Sequence, residues 1–427
     1  MKKITAILLF AALSSAISCQ KGPAAGEDVF DPDAPVSYTL TQTKSVKRGM
    51  GFNNPFQESD GKQLGPGVSW AYNWSNRTPT DELYADLCGN GITFVPMLWN
   101  GSWDPNNIRN IKSQNPDLQY LLAFNEPNLK DQANMTPAQA AALWGDVVAI
   151  AKETGLKIIS PALNYGTLEG YSDPVKWMDE FLAQPGVSLD QMDGIALHCY
   201  MPSASSVSNF LDRFQKYGKP LWLTEFCNGN SNNISEETQL GYMSETLNML
   251  EGRDDVAAYA WFMMRGGFNS QWHNNLVGSA SPFELTTLGK VFVNFSTFDK
   301  GLYYAPRQII PAEQYVAAGG QIRLQPSTDG GVLDISRLPK DAWAEYQLDV
   351  PQAGSYTLYL RFQTYADAGL RFSIDGTDVA SKKIPNTSKE WTSASFKIDL
   401  PAGKSVLRIT GTTAAPVSLN WLSIRKQ

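Results

Sequence analysis

Two glutamates at the ends of apolar runs are the residues best placed to do chemistry in this chain. Tyr120-Leu121-Leu122-Ala123-Phe124 leads into Asn125-Glu126-Pro127, and Pro220-Leu221-Trp222-Leu223-Thr224 leads into Glu225-Phe226. A charge at the end of a buried strand is costly unless it is paired or used. Two such carboxyls, about a hundred residues apart, suit cleavage of a glycosidic bond. One attacks or activates water, and the other protonates the leaving oxygen. Either glutamate alone reads equally well as half of an ion pair or as a helix-start residue. The flanks favour the chemical reading. Asn125 sets an amide beside Glu126, able to bond a sugar hydroxyl or orient the carboxylate. Pro127 ends strand pairing because it has no backbone N–H.

Something must hold these groups, and the chain alternates between strand-like and helix-like segments. Strands are expected at Arg48–Asn53, Val68–Asn73, Thr93–Trp99, Tyr120–Asn125, Lys157–Leu163, Gly194–Tyr200, Leu221–Phe226 and Ala257–Met263. Helices are expected at Thr80–Cys88, from Thr136-Pro137 to Glu153, at Ser206–Tyr217 and at Glu236–Leu250. Thr136 suits an N-cap and Pro137 the first helical turn. Eight β-then-α units predict the α/β class as a (β/α)8 barrel. An open doubly wound sheet is the alternative, disfavoured because no Gly-rich phosphate loop is present. On a barrel, active groups gather where the strands end. Polar and aromatic residues fall there: Asn53; Trp70, Tyr72, Asn73 and Trp74; Trp99 and Asn100; Asn125 and Glu126; Asn164; His198 and Tyr200; Glu225; and Trp261. For any single ring among them, packing is the commoner role.

After Pro306 the pattern changes to alternating strands such as Tyr356–Phe362, Leu370–Ile374, Ser395–Ile398 and Val406–Ile409, with Asp375-Gly376 as a hairpin turn. An all-β sandwich is expected over residues 306–427. At the other end, Lys2-Lys3 and the apolar stretch to Ile17 read as a secretion signal over residues 1–18. Ala16-Ile17-Ser18-Cys19 looks like a bacterial lipoprotein signal, with Cys19 lipidated; plain cleavage and release is the alternative. Residues 19–46, rich in Gly, Pro, Ala, Asp, Ser and Thr, read as a tether, and 47–305 as the catalytic domain. Cys88, Cys199 and Cys227 remain, an odd number, and a Cys199–Cys227 bridge stays open. The balance of 35 Lys+Arg against 42 Asp+Glu argues against a nucleic-acid partner, and two histidines argue against catalytic zinc. The 12 Trp, 17 Tyr and 19 Phe exceed core needs and suit stacking on sugars.

Residues 47 to about 300 resemble glycoside hydrolase family 128, on Val68-Ser69-Trp70-Ala71-Tyr72-Asn73-Trp74, Phe94-Val95-Pro96-Met97-Leu98-Trp99, Leu122-Ala123-Phe124-Asn125-Glu126-Pro127-Asn128 and Leu221-Trp222-Leu223-Thr224-Glu225-Phe226. The resemblance implies a retaining endo-β-1,3-glucanase acting on laminarin-type polymer without a cofactor. Glu126 would be the acid/base, holding its proton near neutral pH, and Glu225 the ionised nucleophile, held by Tyr200 or His198. Asn125 would bind the sugar 2-hydroxyl and Trp261 would floor the reacting subsite. Trp70, Trp74, Trp99 and Trp103 are candidate stacking platforms. Trp343-Ala344-Glu345-Tyr346, Gly354-Ser355-Tyr356 and Ser418-Leu419-Asn420-Trp421 resemble carbohydrate-binding module family 6. That implies a structural calcium ion and sugar platforms at Tyr346 and Trp391. Ser418 replaces a ligand-contacting Asn, and Glu313 is the sole survivor of an acidic pair. The whole reads as a monomer anchored by lipid to a bacterial outer membrane, with β-glucan as its partner. A retaining hydrolase of another β-glucan, or a glycan-binding lipoprotein on an inactive barrel, are the alternatives.

Overall fold

The computed structural model describes residues 30–34, 36–38, 40–53, 56–266 and 270–426. The signal at 1–18 and Cys19 lie outside them. Among the described residues, no helix is long and apolar enough to cross a membrane.

All eight expected strands of the first unit are present, and all run parallel. They are β1 (Arg48–Gly51), β2 (Trp70–Tyr72), β3 (Thr93–Phe94), β4 (Tyr120–Leu122), β5 (Lys157–Ile159), β6 (Ile195–Cys199), β7 (Leu221–Phe226) and β8 (Val256–Trp261). Between and after them lie α1 (Glu58–Leu64), α2 (Asp81–Gly89), α3 (Pro105–Gln114), α4 (Pro137–Thr154), α5 (Pro174–Leu182), α6 (Ala204–Asp212), α7 (Glu236–Gly252) and, following β8, α8 (Thr287–Asn294). The sheet runs β3-β2-β1-β8-β7-β6, with β4 and β5 as a separate pair. Single parallel bridges, Met97 to Leu122 and Ile159 to Gly194, join that pair to its neighbours. Several strands are shorter than expected. The run Thr93–Trp99 keeps ladder pairing only to Phe94 because Pro96 has no N–H to give.

Alternation along the strands separates two cores. Ile195, Leu197, Leu221 and Leu223 face the helices, while Trp70, Tyr72, Ala196, Trp222, Ala258 and Ala260 pack together on the other face. Helix starts follow the local rules. Thr136 caps α4 in a reciprocal box with Gln139, followed by Pro137. Asp104-Pro105 and Asp173-Pro174 start α3 and α5 with a capping carboxylate, which accepts from the Asn106 and Val175 amides, and a proline in the first turn, without the reciprocal box.

The C-terminal strands are β9 (Ile309–Pro311), β10 (Ala317–Gly319), β11 (Arg323–Pro326), β12 (Leu333–Leu338), β13 (Trp343–Val350), β14 (Gly354–Gln363), β15 (Ala368–Ile374), β16 (Thr377–Ile384), β17 (Thr392–Leu400), β18 (Gly403–Gly411) and β19 (Val417–Lys426). They pair antiparallel as β10-β13-β18-β15-β16 and β11-β12-β19-β14-β17, with β9 added to β19. Asp375 and Gly376, both at positive φ, make the hairpin turn between β15 and β16.

The described part of the expected tether is not free. Phe30 packs edge-on against Tyr359 and Trp421 beneath Arg425. Asp33 pairs with Arg361 at 2.8 Å, and the Tyr38 hydroxyl donates to Glu313. Gln42 bonds both Ser296 and the Tyr315 carbonyl, touching the two units at once. Composition hid this because two aromatic anchors and a few polar groups suffice to dock a polar segment. The units also meet directly. Tyr315 donates to Asn248 on α7 at 2.9 Å, and Gln347 donates to the carbonyls of Lys300 and Leu302.

Candidate active site

Glu225 faces the inner side of its strand through an irregularity in β7. Leu221 and Leu223 point to the helices, so strict alternation would send residue 225 the same way. Instead the register with β8 slips between Leu223 and Phe226, and that with β6 slips so that His198 lies beside Glu225. A bulge of this kind re-aims a side chain. Phe226 takes the helix-facing place and Glu225 turns inward. Glu126 lies beyond the end of β4, in a turn where its φ is 41°. A left-handed backbone is costly for a residue with a Cβ and is found where a site requires it.

The two carboxylates and one imidazole form a buried trio. One oxygen of Glu126, one of Glu225 and a His198 ring nitrogen all lie within 4.8 Å of one another. His198 Nδ1 is 3.0 Å from Glu126 Oε1 and 3.3 Å from Glu225 Oε2. Glu225 is ringed by donors. Trp74 Nε1 donates to it at 2.7 Å, the Tyr200 hydroxyl makes a short bond to Oε2, and the Tyr72 hydroxyl lies 3.1 Å from Oε1. Glu126 has fewer donors among the described residues: Asn164 Nδ2 donates to it at 3.3 Å, beside the His198 contact.

Burial raises Glu225 above the usual carboxylate range and the Glu126 charge adds to this, against the pull of His198, Tyr200 and Trp74. Burial also raises Glu126, but the nearby His198 outweighs it and leaves Glu126 lowered. His198 is disfavoured as a cation by burial and favoured by both carboxylates, with a net rise. This order reverses the expectation that Glu126 keeps the proton. The reversal depends on a protonated His198. With a neutral ring, the difference in donors favours charge on Glu225 and the proton on Glu126.

A cavity of about 290 Å³ opens over the pair, lined by Asn53, Trp74, Trp99, Asn125, Glu126, Leu129, Gln132, Asn164, Tyr200, Glu225, Phe262 and Trp272. Of the expected site residues, Asn125, Trp99, Asn164 and Tyr200 therefore reach it. Asn125 donates to Gln132, and its buried Oδ1 has no partner among the described residues. Tyr72 and His198 lie beneath the cavity, supporting the carboxylates. Four expected residues lie elsewhere, Trp261, Trp70, Asn73 and Trp103. Trp261 is fully buried among Phe226, Tyr242 and Phe292 and donates to the Asn274 carbonyl, so it floors no subsite. Trp70 packs against Trp222 and donates to the Lys47 carbonyl. Asn73 donates to the Arg77 carbonyl and lines a neighbouring cavity. Phe262 and Trp272 take the aromatic places that sequence assigned to Trp261. Phe262 is its chain neighbour, and Trp272 belongs to the segment after β8, where no periodicity marks it. Trp103 lines a separate groove beside Arg109 and Glu153.

Cys199 and Cys227 are both buried and free. In the C-terminal unit Tyr346 is fully buried, with its hydroxyl on the Ala312 carbonyl, so it offers no platform. Trp391 donates to Thr328. Glu313, the acid expected to hold calcium, and the buried Asp334 near it do not fit the ion. Glu313 accepts from Tyr38 and from the Leu333 amide, and Asp334 accepts from Asn420 and the Thr328 amide. Those oxygens face protein donors, whereas calcium takes six to eight oxygen ligands.

The glycosyl hydrolase catalytic core family matches residues 49–292. An endo-β-1,3-glucanase of family GH128, subgroup II, from Pseudomonas viridiflava is 39% identical, with 59% of this chain and 98% of that one covered and a TM-score of 0.54. A second GH128 subgroup II endo-β-1,3-glucanase, from Sorangium cellulosum, is 34% identical over 58% of this chain and 98% of that one, with a TM-score of 0.51. Alkali-sensitive linkage protein 1 of Schizosaccharomyces pombe is 26% identical over 235 residues, 53% of this chain and 40% of that protein. With the carboxylate pair, its donors and the cavity in place, the chain belongs to the glycosyl hydrolase catalytic core family, as a glycoside hydrolase of family 128.

Proposed function

We propose that the chain is a retaining endo-β-1,3-glucanase that cleaves laminarin-type polymer by double displacement. The observation that carries the reading is the separation of the carboxylates, whose nearest oxygens lie within 4.8 Å. Retaining enzymes need about 5–5.5 Å between the two groups, whereas inverting ones leave room for a water at roughly 6.5–9.5 Å. Glu225, oriented by Trp74, Tyr200 and Tyr72, attacks the anomeric carbon. Glu126 gives its proton to the leaving oxygen and then takes one from the incoming water. Asn125, with its unpartnered Oδ1, meets the 2-hydroxyl. Trp74, Trp99, Phe262 and Trp272 offer faces to the sugar rings. The glucan assignment rests on the two subgroup II relatives.

We read the eight parallel strands and their bridging contacts as a closed (β/α)8 barrel over residues 47–305. Residues 306–427 form a sandwich of carbohydrate-binding-module type that packs on it. The intact pair of glutamates argues against an inactive barrel. We further infer that Cys19 anchors a monomer to an outer membrane; a Cys19→Ala variant that still fractionates with membranes would refute this.

The deciding experiment is hydrolysis of laminarin-type polymer followed by proton NMR from the first turnover. The β-anomer should appear first, with reducing ends released from within the chain. An initial α-anomer refutes retention, and release of glucose alone refutes endo action. No release from laminarin, with release from mixed-linkage glucan, transfers the reading to that polymer.

A further inference from the structure

His198 is fully buried, and neither of its ring nitrogens has an aligned hydrogen-bond partner among the described residues. Nδ1 nevertheless faces both carboxylates, at 3.0 and 3.3 Å. A bare Nδ1 lone pair turned to two anions is repelled by them; a proton on Nδ1 of the neutral ring removes that repulsion, and so does a positive charge among the three atoms. A second ring proton can supply the charge. So can a metal ion. We propose that the substrate-free site binds a divalent transition-metal ion of the Zn²⁺ or Cu²⁺ type through Glu126, His198 Nδ1 and Glu225, and that this occupancy blocks the enzyme.

Three geometric facts support the site. The donor atoms of all three residues lie within 4.8 Å of one another. Zinc bonds of about 2.0–2.2 Å hold donor atoms roughly 3.3–3.5 Å apart around a tetrahedral centre, close to the 3.0 and 3.3 Å that separate His198 Nδ1 from the two carboxylates. The ligands are also oriented: Tyr200, Trp74 and Tyr72 fix Glu225, and Asn164 holds Glu126. The fourth position opens on the cavity that contains both carboxylates. One imidazole with two carboxylates suits zinc or copper, whereas magnesium and calcium prefer oxygen sets. The ion would fill the gap where a reacting carbon lies, so metal and substrate compete. The binding inference uses the geometry alone and stands or falls apart from the glucan reading.

The test is calorimetric titration of untagged, chelator-stripped protein with zinc chloride near neutral pH. Stoichiometric binding in the micromolar range is expected. His198→Gln and Glu225→Gln should each weaken it by at least about tenfold, and Cys227→Ser should leave it unchanged. Cobalt in place of zinc reads the ligands of the wild-type protein without any variant. Weak visible bands of a nitrogen and oxygen set are expected, and an intense thiolate band would overturn the assignment. On whichever β-glucan is cleaved, zinc should raise KM and leave kcat. Absence of saturable binding below about a millimolar, or equal affinity in a folded His198→Gln variant, overturns the proposal.

Discussion

Glu126 and Glu225 share one buried space but are held differently, and the difference lies in single donors. Trp74 gives Glu225 a hydrogen bond at 2.7 Å from a backbone at φ 57°, a strained setting for a bulky residue. Hydrogen bonds to a charged group contribute about 1.5–3 kcal/mol. Trp74→Phe keeps a ring in the cavity and removes the donor, so kcat should fall roughly 10- to 100-fold with little change in thermal stability. Glu126→Gln and Glu225→Gln should each lower turnover by about 10²–10⁴-fold or more while circular dichroism stays that of the wild type. Wild-type turnover in either amide variant would remove that residue from the mechanism. These glutamates were legible in the sequence because a charge after a buried apolar run is costly. Trp261 misled because a strand-end aromatic reads the same from either face. Its inward neighbours are Ala258 and Ala260, yet the site meets Phe262, one residue further on.

At the scale of elements, the strands were legible as apolar runs and their ends were not. Strict alternation places residue 225 on the helix side, and only the slip in β7 turns it inward. A bulge leaves no periodic trace in a single sequence. The helix starts at Asp104-Pro105 and Asp173-Pro174 pair an N-cap with a proline as Thr136-Pro137 does, but their helices are about half as long as α4 and so leave a shorter periodic run to read. The end of β1 also positions the site. A Cβ on Gly51 would sit 2.8 Å from Trp74 Cη2 and 3.1 Å from Cζ2. Gly51→Ala must therefore displace the indole that donates to Glu225, although residue 51 touches no substrate in the proposed mechanism. Its kcat should fall as far as that of Trp74→Phe, and combining the two changes should cost little more than either alone. Additive losses in the double variant would show that Gly51 acts by another route.

The whole molecule is tied together by residues that composition placed in a tether. The chain from Phe30 to Lys47 crosses the C-terminal unit before entering β1, and Tyr38 meets Glu313 there. Burial, first, pushes the Glu313 carboxyl up to about 8 from an ordinary 4.5, and Asp334 to about 6 from 3.8. In the unfolded chain both groups ionise near their ordinary values. Between about 4.5 and 8, therefore, the folded protein binds more protons at Glu313 than the unfolded chain does. Stability from this group is greatest below 4.5, declines as pH rises through that window, and is lost above about 8. Glu313→Gln keeps an acceptor for Tyr38 and the Leu333 amide and removes the charge. Relative to the wild type, its melting temperature should rise steadily as pH increases across the window, with little difference at the acid end. Scanning calorimetry of both proteins over that range decides the matter. A difference in Tm that does not change with pH would show that Glu313 is already ionised in the folded protein. The strap would then rest on an ion–hydroxyl contact and not on a protonated carboxyl.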